Sequence, residues 1–122
     1  MVAGETRDSM TELRRGVLEH CVLAVMRDRE SYAYEIVRVL SDAGGLVTSE
    51  GTIYPLLSRL RRDGLVDTTW RESDAGPPRR YYRLTTDGQH ALDAFVTDWT
   101  RFRDAVDAVL AARPDERDSD GR

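Results

Sequence analysis

The run Gly51-Thr52-Ile53-Tyr54-Pro55-Leu56-Leu57-Ser58-Arg59-Leu60-Arg61-Arg62-Asp63-Gly64-Leu65-Val66 constrains this chain more than any other stretch. Ile53, Leu56, Leu57 and Leu60 recur at helical spacing and define one inward face, while the positions between them are hydroxylic, aromatic or basic. Gly64 reads as the glycine just past a helix end, with Leu65 as the apolar residue that often follows. A strand over Leu65–Arg71 comes next, with Val66, Thr68 and Trp70 on one face. The segment Ser73-Asp74-Ala75-Gly76-Pro77-Pro78 predicts the turn. The return strand places Tyr82 and Leu84 on one side and Arg79, Tyr81 and Arg83 on the other. A polar, basic helix leading into a basic two-stranded ribbon predicts a winged helix-turn-helix, mainly α with a small β-wing.

Pro55 complicates the third helix. Its ring crowds the carbonyl four residues back, which belongs to Gly51, so the pattern predicts a bent or late-starting helix from about Thr48 or Ser49. Two helices precede it. Ser9 and Glu12 form a capping box ahead of a helix carrying Leu13, Val17, Cys21 and Val25 on one stripe, with Leu18 and Val22 beside it. Ser31 is the expected cap of the second, which carries Tyr34, Ile36, Val37 and Leu40 and ends at Gly44-Gly45.

The last helix is long. Thr86 and Gln89 form a second capping box, and Pro114 forbids continuation much beyond Ala112. Along it Leu92, Phe95, Trp99, Phe102, Val106 and Val109 alternate at spacings of three and four, a heptad seam. At about 1.5 Å per residue the helix reaches about 40 Å, more than one small winged domain can cover. A second copy of the chain is the economical cover. The expected division is therefore a disordered 1–8, a winged domain over 9–85, a dimerisation helix over 86–113 and a disordered tail over 114–122.

At 122 residues the chain holds one modest core. No apolar run approaches the roughly 20 residues of a membrane helix, and the first residues show no apolar h-region, so export is not expected. Cys21, the one cysteine, excludes an intrachain disulfide, and a cytoplasmic location is expected. Net charge is −4, which alone argues against a nucleic-acid partner. Its distribution argues the other way: residues 52–83 carry seven arginines and four acids, whereas residues 104–122 carry three arginines and six acids. A glycine-rich phosphate loop, a nucleophile elbow and a metal-ligand cluster are all missing, so neither enzyme activity nor a cofactor is expected. His20 and Cys21 point about 100° apart on a helix and His90 is distant in sequence, a poor metal set.

The order of motifs resembles the PadR family of bacterial transcriptional regulators. The pieces are Arg15-Gly16-Val17-Leu18-Glu19, Tyr32-Ala33-Tyr34-Glu35-Ile36, Gly51-Thr52-Ile53-Tyr54-Pro55-Leu56-Leu57 with Leu60, Gly64-Leu65-Val66, Gly76-Pro77-Pro78-Arg79-Arg80-Tyr81-Tyr82-Arg83-Leu84-Thr85, and Gly88. They run in order over roughly residues 10–103, and the single C-terminal helix resembles the shorter of the family's two branches. Ala33 departs from the glycine frequent there, a conservative change in a helix. The resemblance implies a homodimeric DNA-binding protein, usually a repressor; many relatives release their operator when a small molecule binds, and several accept flat aromatic drugs or phenolic acids near the dimer centre.

On this reading Thr48, Ser49, Thr52, Tyr54, Ser58, Arg59 and Arg62 are the expected double-stranded DNA contacts of the third helix, and Arg79 and Arg80 those of the wing. The bland reading of the same residues is a capped, solvated helix and a basic strand facing water. Tyr81 and Tyr82 either stack on bases or pack under the wing. Trp99, with Phe95 and Phe102, is either a platform for a planar aromatic effector or plain coiled-coil core; Leu13 and Val17 line the same space if the first helix packs on the partner. A winged-helix module that binds protein rather than DNA is the alternative from another class, supported by the acidic total charge. A regulator of the multiple-antibiotic-resistance type fits less well, because those chains flank the winged domain with more helix.

Overall fold

The computed structural model describes residues 3–47 and 49–112, and the side chains of residues 12–47 and 49–112. The chain divides into two compact units, one ending at Leu92 and the other beginning at Asp93. Seven elements follow in order among the described residues: α1 (Ala3–Val25), β1 (Ser31–Tyr32), α2 (Ala33–Asp42), α3 (Glu50–Arg62), β2 (Val66–Ser73), β3 (Gly76–Leu84) and α4 (Thr86–Ala111). This is a winged helix-turn-helix with a long terminal helix, the predicted fold class. The expected terminal tail, the arginine at 113 and Thr48 lie outside the described residues.

The core of the first unit is built from the faces that periodicity selects. Ile53, Leu56, Leu57 and Leu60 of α3 meet Ile36, Val37 and Leu40 of α2, and Leu18, Val22 and Leu23 of α1 close the other side. Burying side chains of this size is worth about 1.5–3 kcal/mol each. On α1 the core stripe is Leu18 and Val22, continued by Met26; Leu13 is exposed, and Val17, Cys21 and Val25 are half-buried. Helix α1 also starts at Ala3, so Ser9 lies inside it rather than at its cap, and residues 3–8 are helical instead of disordered. No proline interrupts Ala3–Asp8, and extending an existing helix is cheap.

The sheet has three strands in the order β1-β3-β2, all antiparallel. Ser31 is a strand residue opposite Tyr82, so the residue capping α2 is Tyr32. Glu35 reaches back to accept the Tyr32 backbone N–H at 3.3 Å. The helix itself stops at Asp42, just before the two glycines. In the hairpin the turn is only Asp74-Ala75; Gly76, Pro77 and Pro78 already belong to β3, and the register shifts between Arg71 and Ser73. The prolines lie beyond the stretch of β3 that pairs with β1, at Tyr81 and Tyr82, where no second ladder needs their missing N–H.

Two glycines fix the approach to α4. Gly64 has φ +77°, and Leu65 N–H bonds back to the Leu60 carbonyl while Gly64 N–H bonds to that of Arg61. These are the two bonds of a Schellman motif, as predicted from Gly64-Leu65. Helix α4 then begins directly over this turn. Its cap is Thr85, one residue before the predicted Thr86: the Thr85 hydroxyl accepts Gly88 N–H at 3.0 Å and donates to the Gly64 carbonyl at 2.7 Å. A Cβ on Gly88 would stand 2.0 Å from the Leu65 carbonyl oxygen, so only glycine permits this close crossing.

Candidate nucleic-acid interface

Helix α3 runs continuously from Glu50 to Arg62 with Pro55 inside it. Its start is secured at Ser49, whose carbonyl accepts the N–H groups of Thr52 and Ile53. The bond Pro55 cannot make is the one to Gly51, and a Cβ at Gly51 would meet only Ser49 Oγ at 3.8 Å. At 100° per residue, the direction opposite the buried leucines belongs to Gly51, Pro55, Ser58 and Arg62, all exposed. Ser49 and Thr52 are also exposed, their hydroxyls 3.2 Å apart. Tyr54 is exposed on the flank toward the wing and donates its hydroxyl to Glu50 at 3.4 Å. Burial first, then the Glu50 charge, raises the Tyr54 phenol above its usual value, so it remains a neutral donor near pH 7.

The arginines of this unit fall into two sets. Arg59 Nε lies 3.3 Å from Glu19 on α1, whose side chain is only 15% exposed. Arg71 pairs with Glu30, and Arg83 Nε donates to Asp67 at 2.7 Å. These three are engaged within the fold, and Arg59, expected as a DNA contact, is turned toward α1 because it occupies the flank of α3 beside Glu19. Arg61, Arg62, Arg79 and Arg80 form no ion pair among the described residues. Arg79 lies over the Tyr32 ring at 4.5 Å and Arg80 over the Trp70 indole at 5.0 Å.

These features converge on a hollow of about 690 Å³ between the start of α2, the wing-side flank of α3 and the strands. Tyr54, Ser58, Arg79 and Arg80 line it, together with Tyr32, Tyr34 and Trp70, which the sequence reading did not assign to the interface. Spacing alone did not reveal this: a regular two-residue turn would set Trp70 against Arg79, and the register shift between Arg71 and Ser73 brings it across from Arg80 instead. Of the two tyrosines with an open reading, Tyr82 is buried under the wing, while Tyr81 is half-buried with its ring 5.3 Å from that of Tyr32.

In the second unit the α4 side chains form an apolar strip. Phe95 stacks on Trp99 with ring centres 6.1 Å apart and planes 10° from parallel, and Phe102 follows at 6.3 Å. Trp99 is 39%, Phe102 62%, Val109 67% and Leu110 77% exposed. Val106 and Val109, with Phe102, Ala105 and Leu110, line a wholly apolar hollow of about 260 Å³. Leu92, expected in this seam, belongs instead to the core of the first unit at 1% exposure, because the opening turns of α4 pack there. Val96 and Leu110 are exposed apolar residues that the seam omitted.

The model of the PadR-like family of transcriptional regulators matches residues 22–94. This chain belongs to that family. The transcriptional regulator Rv3488 of Mycobacterium tuberculosis is 39% identical over 83 residues, 68% of this chain and 76% of that protein. A PadR-like regulator of Bacillus cereus superposes with a TM-score of 0.76 at 35% identity, covering 84% of this chain and 99% of that one. A PadR-like transcription factor of Bacteroides fragilis gives 0.73 at 36% identity, covering 84% and 98%. The family comprises transcriptional regulators, not enzymes. Among the described residues no helix is long and apolar enough to cross a membrane.

Proposed function

We propose that this PadR-family regulator is a repressor that binds, as a homodimer, a two-fold-symmetric operator. The observation that carries the DNA reading is the segregation of charge. Arginines at the end of α3 and on the wing have no acidic partner among the described residues, while their neighbours are neutralised within the fold. Phosphate contacts need cations that are free to exchange counterions for the duplex. Gly51, Pro55, Ser58 and Arg62 of α3 enter the major groove: the first two lack bulk and let the backbone approach, and Arg62 supplies a two-pronged donor for guanine. Arg79 and Arg80 hold the flanking backbone.

Dimerisation rests on the α4 strip. A contiguous row of exposed aromatic and aliphatic side chains is the kind of patch that marks a partner surface. Two-fold pairing sets two reading helices on one duplex, with half-sites about 34–36 Å apart or a multiple of that. Trp99 then lies in the seam, where a planar aromatic effector inserted between protomers changes the separation of the readers and releases the operator.

A gel shift on the DNA upstream of the chain's own gene, with sedimentation of the free protein, tests this reading. A dimer that retards the fragment is expected. Replacing Arg79 and Arg80 together by alanine lowers the slope of log affinity against log salt by about two. A protomer at micromolar concentration with no affinity for that fragment refutes the proposal. Quenching of Trp99 fluorescence by planar aromatic compounds tests the effector, and silence across a varied panel removes it.

A further inference from the structure

We propose that the hollow beside α3 seats a stretch of the operator's sugar-phosphate backbone, and that Tyr32 and Trp70 are positioning residues for the two arginines that grip it. The proposal rests on the DNA reading above and extends it to two side chains outside the reading helix. An arginine side chain has many rotamers, and ordering it on binding costs affinity unless it is held beforehand. Here each wing guanidinium already lies on an aromatic face, Arg79 on Tyr32 and Arg80 on Trp70. Stacking on a ring occupies the flat face of the guanidinium and leaves its N–H edges for oxygen acceptors.

The platforms are themselves braced. Tyr32 is fixed by its backbone pairing with Tyr81, by an edge contact to that ring, and by a stacked contact to Tyr34 at 6.5 Å. Trp70 faces Arg80 directly across the hairpin. Arg80 Nε is shielded from solvent and has no acceptor, and among the described residues Arg80 has no acidic partner. The one acid lining the hollow is Glu50, which already receives the Tyr54 hydroxyl. Two unpaired cations against one carboxylate suit a phosphodiester. The opening lies between α3 and the wing, where a duplex held by both must pass.

The experiment measures affinity and salt slope for the upstream fragment by fluorescence anisotropy, with wild-type protein and with Tyr32→Phe, Tyr32→Leu, Trp70→Phe and Trp70→Leu. Each leucine variant is expected to bind about two- to fivefold more weakly, the size of a lost cation–π contact. Its salt slope falls by up to about one as the arginine above it leaves its phosphate. The phenylalanine variants keep a ring and stay near wild type, a rescue that a merely structural role does not produce. Trp70 is 62% exposed, so Trp70→Leu leaves the melting temperature unchanged and isolates the effect even where Tyr32→Leu weakens the fold. Glu50→Gln removes the opposing charge and tightens binding. Wild-type binding with unaltered affinity and slope in Trp70→Leu overturns the positioning role while leaving the reading helix in place. A wild-type protein that does not bind overturns both.

Discussion

Replacing Gly88 by alanine should destabilise this protein, although alanine is ordinarily the better helix former. The added Cβ would lie 2.0 Å from the Leu65 carbonyl oxygen and 3.0 Å from its carbon, with Leu84 Cδ2 at 3.2 Å. Ordinary contact begins near 3.4 Å, so backbone must move by more than about 1 Å. The Leu65 carbonyl cannot yield freely, because it accepts Thr85 N–H at 3.1 Å. The same threonine ties Gly64 to Gly88 through its hydroxyl. Overpacking costs about 1–3 kcal/mol, and a strained hydrogen bond adds about 1. Helix propensity returns about 1 kcal/mol. The net is a loss of about 1–3 kcal/mol, which at roughly 4 °C or more per kcal/mol lowers the melting temperature by about 4–12 °C. Gly16→Ala is the control. Nothing lies within 4 Å of a Cβ there, mid-helix in α1, so the same substitution gains about 0.5–1 kcal/mol. Melting curves must be compared at equal protomer concentration, since association shifts the midpoint. If Gly88→Ala melts above wild type, as Gly16→Ala should, the close crossing of α4 over the Gly64-Leu65 turn is wrong.

Arg59→Ala should act on stability before it acts on DNA. Removing it strands the half-buried Glu19 carboxylate, at a cost on the order of 1 kcal/mol after allowing for the exposure of Arg59, and operator affinity should fall less than in Arg62→Ala. An Arg59→Ala protein with unchanged melting and lost binding would return Arg59 to the reading face. Burial raises the Cys21 thiol above its usual value, so the thiolate is scarcer in the native state than in the unfolded one. Alkylation at pH 8 should therefore run slower than in denaturant, and native rates equal to unfolded ones would show that the α1 flank is open.

What was legible in the sequence was local and periodic. The inward face of α3, the glycine that ends it and the hairpin behind it all follow from spacing and turn chemistry within about 35 residues. What failed depended on neighbours distant in sequence. Ser31 has the chemistry of a helix cap, yet it pairs with Tyr82, and only a third strand could have revealed that. Thr86 heads a better capping pattern than Thr85, but Thr85 can also reach the Gly64 carbonyl. Leu92 fits a heptad, yet the first heptad position lies where α4 still covers the winged core. Of the candidate contacts, Ser49 at the cap of α3 and Thr52, Tyr54, Ser58 and Arg62 on it stand exposed, and Arg79 and Arg80 line the hollow beside it.

Arg59 shows why composition alone misleads about an acidic protein and an acidic partner. Counting charges along residues 52–83 gives an excess of three, but the count does not say which arginines already have a partner. The ion pairs do. Glu19, Glu30 and Asp67 each pair with one arginine, and two of these acids lie outside the counted segment. The remaining cations sit on one side of α3 and on the wing strand, with aromatic rings beneath two of them. Unpaired positive charge is thereby concentrated at the end of α3 and on the wing, and association with a polyanion depends on such a local field far more than on the net charge of −4. Reversing the filter should have the opposite effect. Glu30→Gln frees Arg71, directly across the hairpin from Arg79, and should raise both affinity and salt slope without touching any proposed contact. A slope that stays put would mean that the partnered arginines were never withheld from the duplex.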